Sequence, residues 1–522
     1  MIREISRRKC LRLWLCKPEY MGRTKWENRF VLLRFRKKNY MMFLKDLKRF
    51  KMERLYDKLK AYSESDFYAF HMPGHKRNKA LLGIELPYDL DITEIDGFDD
   101  LHHADGILKE EQERAARVFG AEESHFLVNG STAGILSAVM GCTHRGDKIL
   151  VARHCHKSIY HAIYMNGLVP RYVYPEFDIS MHMNGEISKE DVAKALAAEP
   201  DIKAVVIVSP NYDGVVSDVK GIAEVAHSYR IPLIVDEAHG PHFGFHPAFP
   251  GRANDLGADV VINSLHKTLP SLTQTAILHI NGKFANRRRI KKYLDMLQSS
   301  SPSYIFMASL DACVDFLDGK CENAFELYVE RLQKFREELE PLQHLQILRT
   351  EHYDISKVVI STANANITSP ELADRLRKEY HLEMEMTGGT YVLAMTTVAD
   401  TQEGLDRLKA ALLEIDGQLE AKTAVSGSIE ISGELPRLEQ YFTPQEAADR
   451  EEDGEAEEIP WKESEGHISL EYAYLYPPGS PVIVPGERIS REAVELLCYY
   501  ETQNLQIEGI QTEGKIKVWK HE

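Results

Sequence analysis

The sequence predicts an α/β fold with a mostly parallel central sheet, followed by a smaller α+β region toward the C-terminus. Three observations carry this reading. Residues 204–209, 232–235 and 259–263 are short, largely apolar runs rich in Val and Ile, polar only at their ends. Strands without polar alternation are buried on both faces, as in parallel sheets covered by helices. Helical spacing lies between such runs, as at residues 219–228, and the alternation continues over about 106–320.

Taken in order, residues 52–62 have helical spacing, and Phe70-His71-Met72-Pro73-Gly74-His75-Lys76 reads as a polar loop with a Pro-Gly turn. Residues 107–119 form an amphipathic helix with Ala115, Ala116 and Phe119 on one side. Residues 124–128 and 148–152 are strands, each followed by a helix, the second starting at Ser158. In the second unit, Ser369 caps a helix with Pro370 in its first turn. Residues 391–395 read as a strand, and Leu405, Leu408, Leu412 and Leu413 as a helix face. Ten of the 20 residues from Glu446 to Glu465 are acidic, which predicts a solvated surface loop. The expected division is a basic extension over 1–50, an N-terminal segment over 51–105 and a large domain over 106–320. A small α+β domain over 321–420 and a C-terminal domain over 421–522 follow.

Composition excludes several classes. With 522 residues, 43% hydrophobic and 28% charged, the chain is globular and holds more than one domain. The formal net charge of -16 argues against general nucleic-acid binding, and no apolar stretch is long enough for a membrane helix. Seven Cys without CxxC spacing fit neither a disulfide scaffold nor a zinc ribbon, and point to a cytoplasmic protein. Charge is uneven: residues 1–50 hold 16 Lys/Arg and 4 Asp/Glu, while the remainder carries a net of -28. This basic segment is read as a dispensable appendage outside the fold, with Met41, Met42 and Met52 lying just before the globular pattern begins.

Four segments could carry chemistry. Ser264-Leu265-His266-Lys267-Thr268 follows an apolar strand. Lys is rarely buried, and a partly desolvated one can form an imine with an aldehyde; the alternative is a solvated surface lysine. Ile234-Val235-Asp236 ends a strand on a carboxylate 31 residues before Lys267, a spacing that suits one strand–helix–strand step. Both side chains would then emerge at the C-terminal sheet edge, where open α/β sheets bind ligands. A buried Asp there needs a cationic partner, a pyridinium nitrogen or a metal ion. Asn129-Gly130-Ser131-Thr132-Ala133-Gly134, between strand and helix, could hold a phosphate, although Ser/Thr caps are common without one. In His154-Cys155-His156-Lys157-Ser158 a His could stack on an aromatic ring or lie on the surface. A metal reading would use His239, His242 and His246, or His154, His156 and His161, with Asp236, but it leaves Lys267 unexplained. Together the four segments meet the needs of pyridoxal phosphate.

With these motifs the chain resembles the ornithine/lysine/arginine decarboxylase family, fold-type I pyridoxal-phosphate enzymes, in its short bacterial form. Further matches are Asp99-Asp100-Leu101-His102-His103, Asp236-Glu237-Ala238-His239, Ser301-Pro302-Ser303-Tyr304 and Tyr476-Pro477-Pro478-Gly479. The loop Pro210-Asn211-Tyr212-Asp213-Gly214 departs from the family, carrying Asn211 and Asp213 where Thr and Tyr are usual.

The resemblance implies an aminotransferase-like fold and decarboxylation of arginine or lysine, ahead of ornithine, feeding polyamine metabolism. Lys267 would carry the cofactor, Asp236 would pair with its ring nitrogen and His156 would stack on the ring. Ser131, Thr132, Ser264 and His266 would contact the phosphate, with His239 close to cofactor and substrate. The 71–76 and 301–304 loops would line the pocket near a subunit interface of a homodimer or larger homo-oligomer. Asp100, Glu237 and Glu385 are candidates to meet the substrate's distal cation. No nucleic acid, membrane or metal is implied. An aminotransferase or amino-acid lyase would use the same cofactor residues.

Overall fold

The computed structural model describes residues 54–520, apart from 74, 81–83, 179–182, 349, 423–433, 476–478 and 503–504. The basic segment 1–50, Gly74 of the 70–76 loop and Tyr476-Pro477-Pro478 therefore lie outside the described residues.

Seven strands make the central sheet: β1 (Glu123–Leu127), β2 (Lys148–Ala152), β3 (Val169–Val173), β4 (Val205–Val208), β5 (Leu233–Asp236), β6 (Val260–Asn263) and β7 (Ala276–Ile280). Their order is β1-β7-β6-β5-β4-β2-β3. The pairs from β6 through to β3 are parallel, and β7 alone runs against its neighbours β1 and β6. All four residues of β4, β5 and β6 are buried, as their apolar sequences require up to the polar ends Asp236 and Asn263.

One core packs Leu127, Leu150, Val206, Val235 and Ile262 against helices Gly130–Cys142, Lys157–Met165 and Val219–Ser228. A second core continues from Phe126 and Ile277 of the same sheet through helices Tyr304–Leu317 and Glu322–Glu338 to Val358 and Val392. The latter belong to an antiparallel sheet of β8 (Gln346–Ile347), β9 (Lys357–Ser361), β10 (Met386–Thr387) and β11 (Tyr391–Met395), in the order β8-β9-β11-β10. The two sheets thus share a core, and β9 comes to stand behind the C-terminal edge of β5.

Three local expectations are corrected. No helix lies between β5 and β6; the connection is a chain of turns. Buried Phe243, Phe249 and Ala253 give it a core contact without helical periodicity. The cap of helix Ser369–Tyr380 is Thr368, not Ser369: its hydroxyl accepts from Glu371 N–H while Glu371 accepts from Thr368 N–H. The acidic run is not a loop. Thr443 caps helix Pro444–Glu452 in the same way, and Ala456–Pro460 pairs antiparallel with Lys515–Trp519. That paired strand helps enclose a third core around Trp461, Ala473, Ile483 and Ile516.

The C-terminal region is tied to the large sheet by Arg153, just past β2. Arg153 pairs with Glu487 at 2.9 Å and donates to Val482 O at 3.0 Å. Ser480 donates its hydroxyl to His154 O at 2.7 Å, which brings the segment after Gly479 to the sheet edge. Among the described residues no helix is long and apolar enough to cross a membrane.

Candidate active site

A cavity of about 720 Å³ opens at the C-terminal edge of β1, β2, β4, β5 and β6. Asp236, His239, His156, Ser131, Thr132, Ser264, His266 and Lys267 all line it. Strand ends supply the side chains because each buried strand must stop where the chain turns back over the sheet, and the first polar residues fall there.

Asp236 ends β5 and is 3% exposed. Its Oδ1 accepts from Ala238 N–H at 3.2 Å. Burial pushes its carboxyl up, against the pull of Lys267 and the Ala238 hydrogen bond. Such a carboxylate is short of a cation, which a pyridinium nitrogen could supply. Lys267 stands on the short helix Leu265–Thr268 that follows β6. Burial lowers its pKa against the pull of Asp236 and Glu385, which favours a neutral, nucleophilic amine.

Ser131 and Ser264 hydroxyls meet at 2.5 Å across the sheet edge. Ser131 and Thr132 occupy the first turn of helix Gly130–Cys142, where backbone N–H groups have no intrahelical partner. Gly130 takes φ +71, a left-handed turn that glycine adopts without strain and that starts the helix at the cavity edge. Two hydroxyls and a helix N-terminus form a cradle that could hold a phosphate. His266 donates Nδ1–H to Thr275 O at 2.9 Å. His156 caps helix Lys157–Met165, its Nδ1 accepting from Ser158 N–H at 3.3 Å. Burial, with repulsion from Lys267, brings His156 down to about 4, so the ring is neutral at neutral pH and suited to stacking. The donors on the cavity wall therefore fit pyridoxal phosphate at its aldehyde, ring nitrogen, ring face and phosphate.

Of the three acidic candidates, only Glu385 lines the cavity, where it accepts from the Tyr212 hydroxyl. Asp100 instead accepts from His102 N–H at 2.9 Å and meets His103 Nδ1 at 3.1 Å. Glu237 points into the fold, accepting from Ala253 N–H at 2.8 Å and Asn263 Nδ2 at 3.0 Å, and burial pushes its carboxyl up to about 8. Alternation along the chain after Asp236 sends the neighbouring Glu inward. Within this chain the described residues of the 71–76 and 301–304 loops do not line the cavity. Tyr304 donates to Asp99 O at 2.6 Å, and Phe67, Tyr68, Phe70 and Met72 are 69%, 70%, 90% and 65% exposed.

The histidines of the metal reading have other partners. His242 contacts Thr268 Oγ1 at 3.0 Å and Asp354 at 3.1 Å, and His246 contacts Glu326 at 3.0 Å. Among the described residues no group of three or more His, Cys, Asp or Glu has metal-binding geometry. Asn211, one of the two departures from the family pattern, folds its own loop by accepting from Gly214 and Val215 N–H, each at 2.9 Å. Asp213 accepts from the Tyr391 hydroxyl at 2.6 Å.

Sequence reasoning missed Tyr212 and Lys357. Tyr212 packs its ring 4.6 Å from that of His239, and Lys357 Nζ lies 2.8 Å from His239 Nδ1. A signal for Lys357 existed: it adjoins the apolar run Val358-Val359-Ile360, at its start, whereas Lys267 lies past the end of its own apolar run.

The chain is similar to known proteins over nearly all of this structure. Residues 53–421 match the family model described as Orn/Lys/Arg decarboxylase, major domain, and 433–514 match the C-terminal domain. An arginine decarboxylase of Bacillus subtilis is 33% identical over 471 residues, covering 87% of this chain and 95% of the relative. An arginine decarboxylase of Bacillus anthracis is 32% identical, covering 89% of this chain and 97% of the relative. The solved lysine decarboxylase of Francisella novicida superposes with a TM-score of 0.76 at 20% identity, covering 92% of this chain and 83% of that one, a likeness of fold. With the major-domain match spanning most of its length and such relatives covered almost end to end, the chain belongs to the Orn/Lys/Arg decarboxylase family.

Proposed function

We propose that the chain decarboxylates a basic L-amino acid, arginine or lysine ahead of ornithine, with pyridoxal phosphate as cofactor, and that its amine product feeds polyamine metabolism. The observation that carries this reading is the convergence of buried Asp236 and half-buried Lys267, from adjacent strand ends, on one cavity with a hydroxyl-lined helix end. Two relatives named arginine decarboxylase support the substrate class.

Pyridoxal phosphate, when bound, supplies an electron sink for the pair released as CO2 leaves. Lys267 would hold the cofactor and, once displaced by the substrate amine, would return a proton to Cα. Asp236 keeps the ring nitrogen protonated, and gains there the cation that its burial lacks. His156 stacks on the ring as a neutral imidazole. Ser131, Thr132, Ser264 and His266 hold the phosphate, and His239 bears on Lys267, 2.9 Å from its Nζ. Glu385, already held by Tyr212, meets the substrate's guanidinium or ammonium. The enzyme would act in the cytoplasm as a homodimer or larger homo-oligomer; the exposed apolar run Phe67 to Met72 supports self-association.

The test is a panel of L-amino acids scored by CO2 release and product identity. Agmatine or cadaverine as the main product is expected. Glu385→Gln should raise KM about 10-fold or more with a smaller change in kcat. Keto-acid formation in place of CO2, or preference for an acidic or small neutral amino acid, would overturn the reading in favour of an aminotransferase or another lyase.

A further inference from the structure

Behind the cavity stands a second lysine, and this one is buried. Lys357 opens β9 and is fully buried. Its Nζ lies 2.8 Å from His239 Nδ1, and His239 Nε2 lies 2.9 Å from Lys267 Nζ. The stem of Lys357 passes over Gly214, where a Cβ would stand 2.8 Å from Lys357 Cγ and 3.1 Å from the Tyr353 ring. Gly214 also takes φ +109, so glycine opens the channel that this side chain fills. Among the described residues no carboxylate lies within 4 Å of Lys357 Nζ. A buried amine without a paired carboxylate is costly, and packing alone would be served by an apolar residue.

The hydrogen bonds restrict the protons. A neutral imidazole has one N–H and one lone pair. Burial holds His239 well below the ordinary histidine range, so the ring is neutral. The lysine facing its lone pair can donate as an ammonium. The lysine facing its N–H must accept, and is then a neutral amine. With both bonds formed, at most one of the two lysines is charged, so the pair can share a single ionising proton.

We propose that Lys357 is a positioning residue that sets the protonation state of Lys267 through His239, as the far end of a one-proton relay. In one state the Lys357 ammonium donates to His239 Nδ1, and His239 Nε2–H donates to the Lys267 amine. In the other, a proton has passed from Lys357 Nζ to His239 Nδ1 and one from His239 Nε2 to Lys267 Nζ. Lys357 is then neutral, Lys267 carries the charge and His239 has changed tautomer, with no net gain or loss of protons. The relay supplies Lys267 with the proton that Cα receives. That use rests on the decarboxylase reading.

The surroundings suit a shared proton. Asp236 and Glu385 act on Lys267, and Asp354, Glu385 and Asp213 act on Lys357. Asp354 is held by His242 and Ser356, and Asp213 by Tyr391, so both act as field rather than contact. His156 and His266 face His239, both shifted toward neutrality. The Tyr212 ring lies 5.7 Å from Lys357 Nζ, with its hydroxyl committed to Glu385. Burial brings Lys357 down to about 8, against the pull of Asp354, within reach of proton loss.

The experiment compares full-length protein loaded with pyridoxal phosphate with its Lys357→Met, His239→Gln and doubly substituted forms. Absorbance is titrated with pH in the absence of substrate, and kcat and KM are measured across pH. Methionine nearly matches lysine in shape, and thermal unfolding verifies the fold. Loss of the Lys357 cation should shift the titration of the Lys267–cofactor linkage upward. It should lower kcat about 10–100-fold with little change in KM. The double variant should be no slower than His239→Gln alone, because Lys357 acts only through His239. An unmoved titration, or a Lys357→Met effect that persists in full without His239, would overturn the relay. Loaded wild-type protein that releases no CO2 would end the decarboxylase reading, while the substrate-free titration would still decide the relay.

Discussion

Arg153 and Lys357 are both fully buried cations, and their surroundings treat them in opposite ways. Arg153 meets Glu487 at 2.9 Å, donates to Val482 O at 3.0 Å and lies 4.9 Å from the Tyr172 ring centroid. Burial works against its charge, but Glu487 and the surrounding rings outweigh it, and the guanidinium is held above its ordinary range. Lys357 has an imidazole where Arg153 has a carboxylate, and burial wins, bringing it down to about 8. A buried cation with a full partner is a strut, here joining the C-terminal region to β2. A buried cation with only a neutral partner is labile, and such groups gather where protons move.

Four substitutions probe that contrast, from the largest expected effect to the smallest. Lys267→Ala removes the amine at the cavity end of the labile cluster. Covalent cofactor should vanish, and turnover should fall on the order of 10³-fold or more. A reducible chromophore and normal rates in this variant would assign the chemistry to another lysine. Asp236→Asn leaves the fold intact, since the amide can still accept from Ala238 N–H, but cannot hold the ring nitrogen protonated. A loss of about 10²–10⁴-fold in kcat is expected, and near wild-type turnover would reject the pairing.

Glu487→Ala breaks the strut and leaves Arg153 buried and unpaired. Chemical denaturation should show a loss of about 3–5 kcal/mol. A variant as stable as wild type would mean that Arg153 is not fixed by its carboxylate. Lys357→Met should do the reverse and stabilise the fold. The folded-state pKa of Lys357, about 8, lies below the ordinary 10.5, so the unfolded chain binds this proton more tightly. The penalty is present in full below pH about 8, on the order of 3 kcal/mol, and disappears as pH rises toward 10.5. Thermal unfolding at pH 7 and pH 10 would verify this. A stabilisation independent of pH would show that packing, not charge, is responsible.

The same contrast explains what could be read from the sequence. Asp236 and Lys267 were legible because Asp236 ends one apolar strand, β5, and Lys267 follows another, β6, so chain order alone puts them at one sheet edge. His156 and Ser131 were legible for the same reason, after β2 and β1. The helix expected between β5 and β6 was not there, because its spacing argument used length without periodicity. Lys357 was hidden because its partner is 118 residues away, and β9 meets His239 only through the packing of two sheets. Arg153 was hidden likewise, with its carboxylate 334 residues on. The acidic stretch after Glu446 misled because charge reports solvent contact rather than backbone state: a capped helix and a paired edge strand are as solvated as a loop. Glu237 misled in the opposite direction, as an acidic neighbour of Asp236 that turns inward to Asn263.

Two amines, Lys267 and Lys357, flank one imidazole, and only Lys267 lines the cavity. Reduction of the purified, cofactor-loaded protein with borohydride, followed by peptide mapping, tests this most directly. The account predicts a single pyridoxyl group on the peptide containing Lys267, with Lys357 unmodified. A label on Lys357 or on any other lysine, or no label at all, would contradict it.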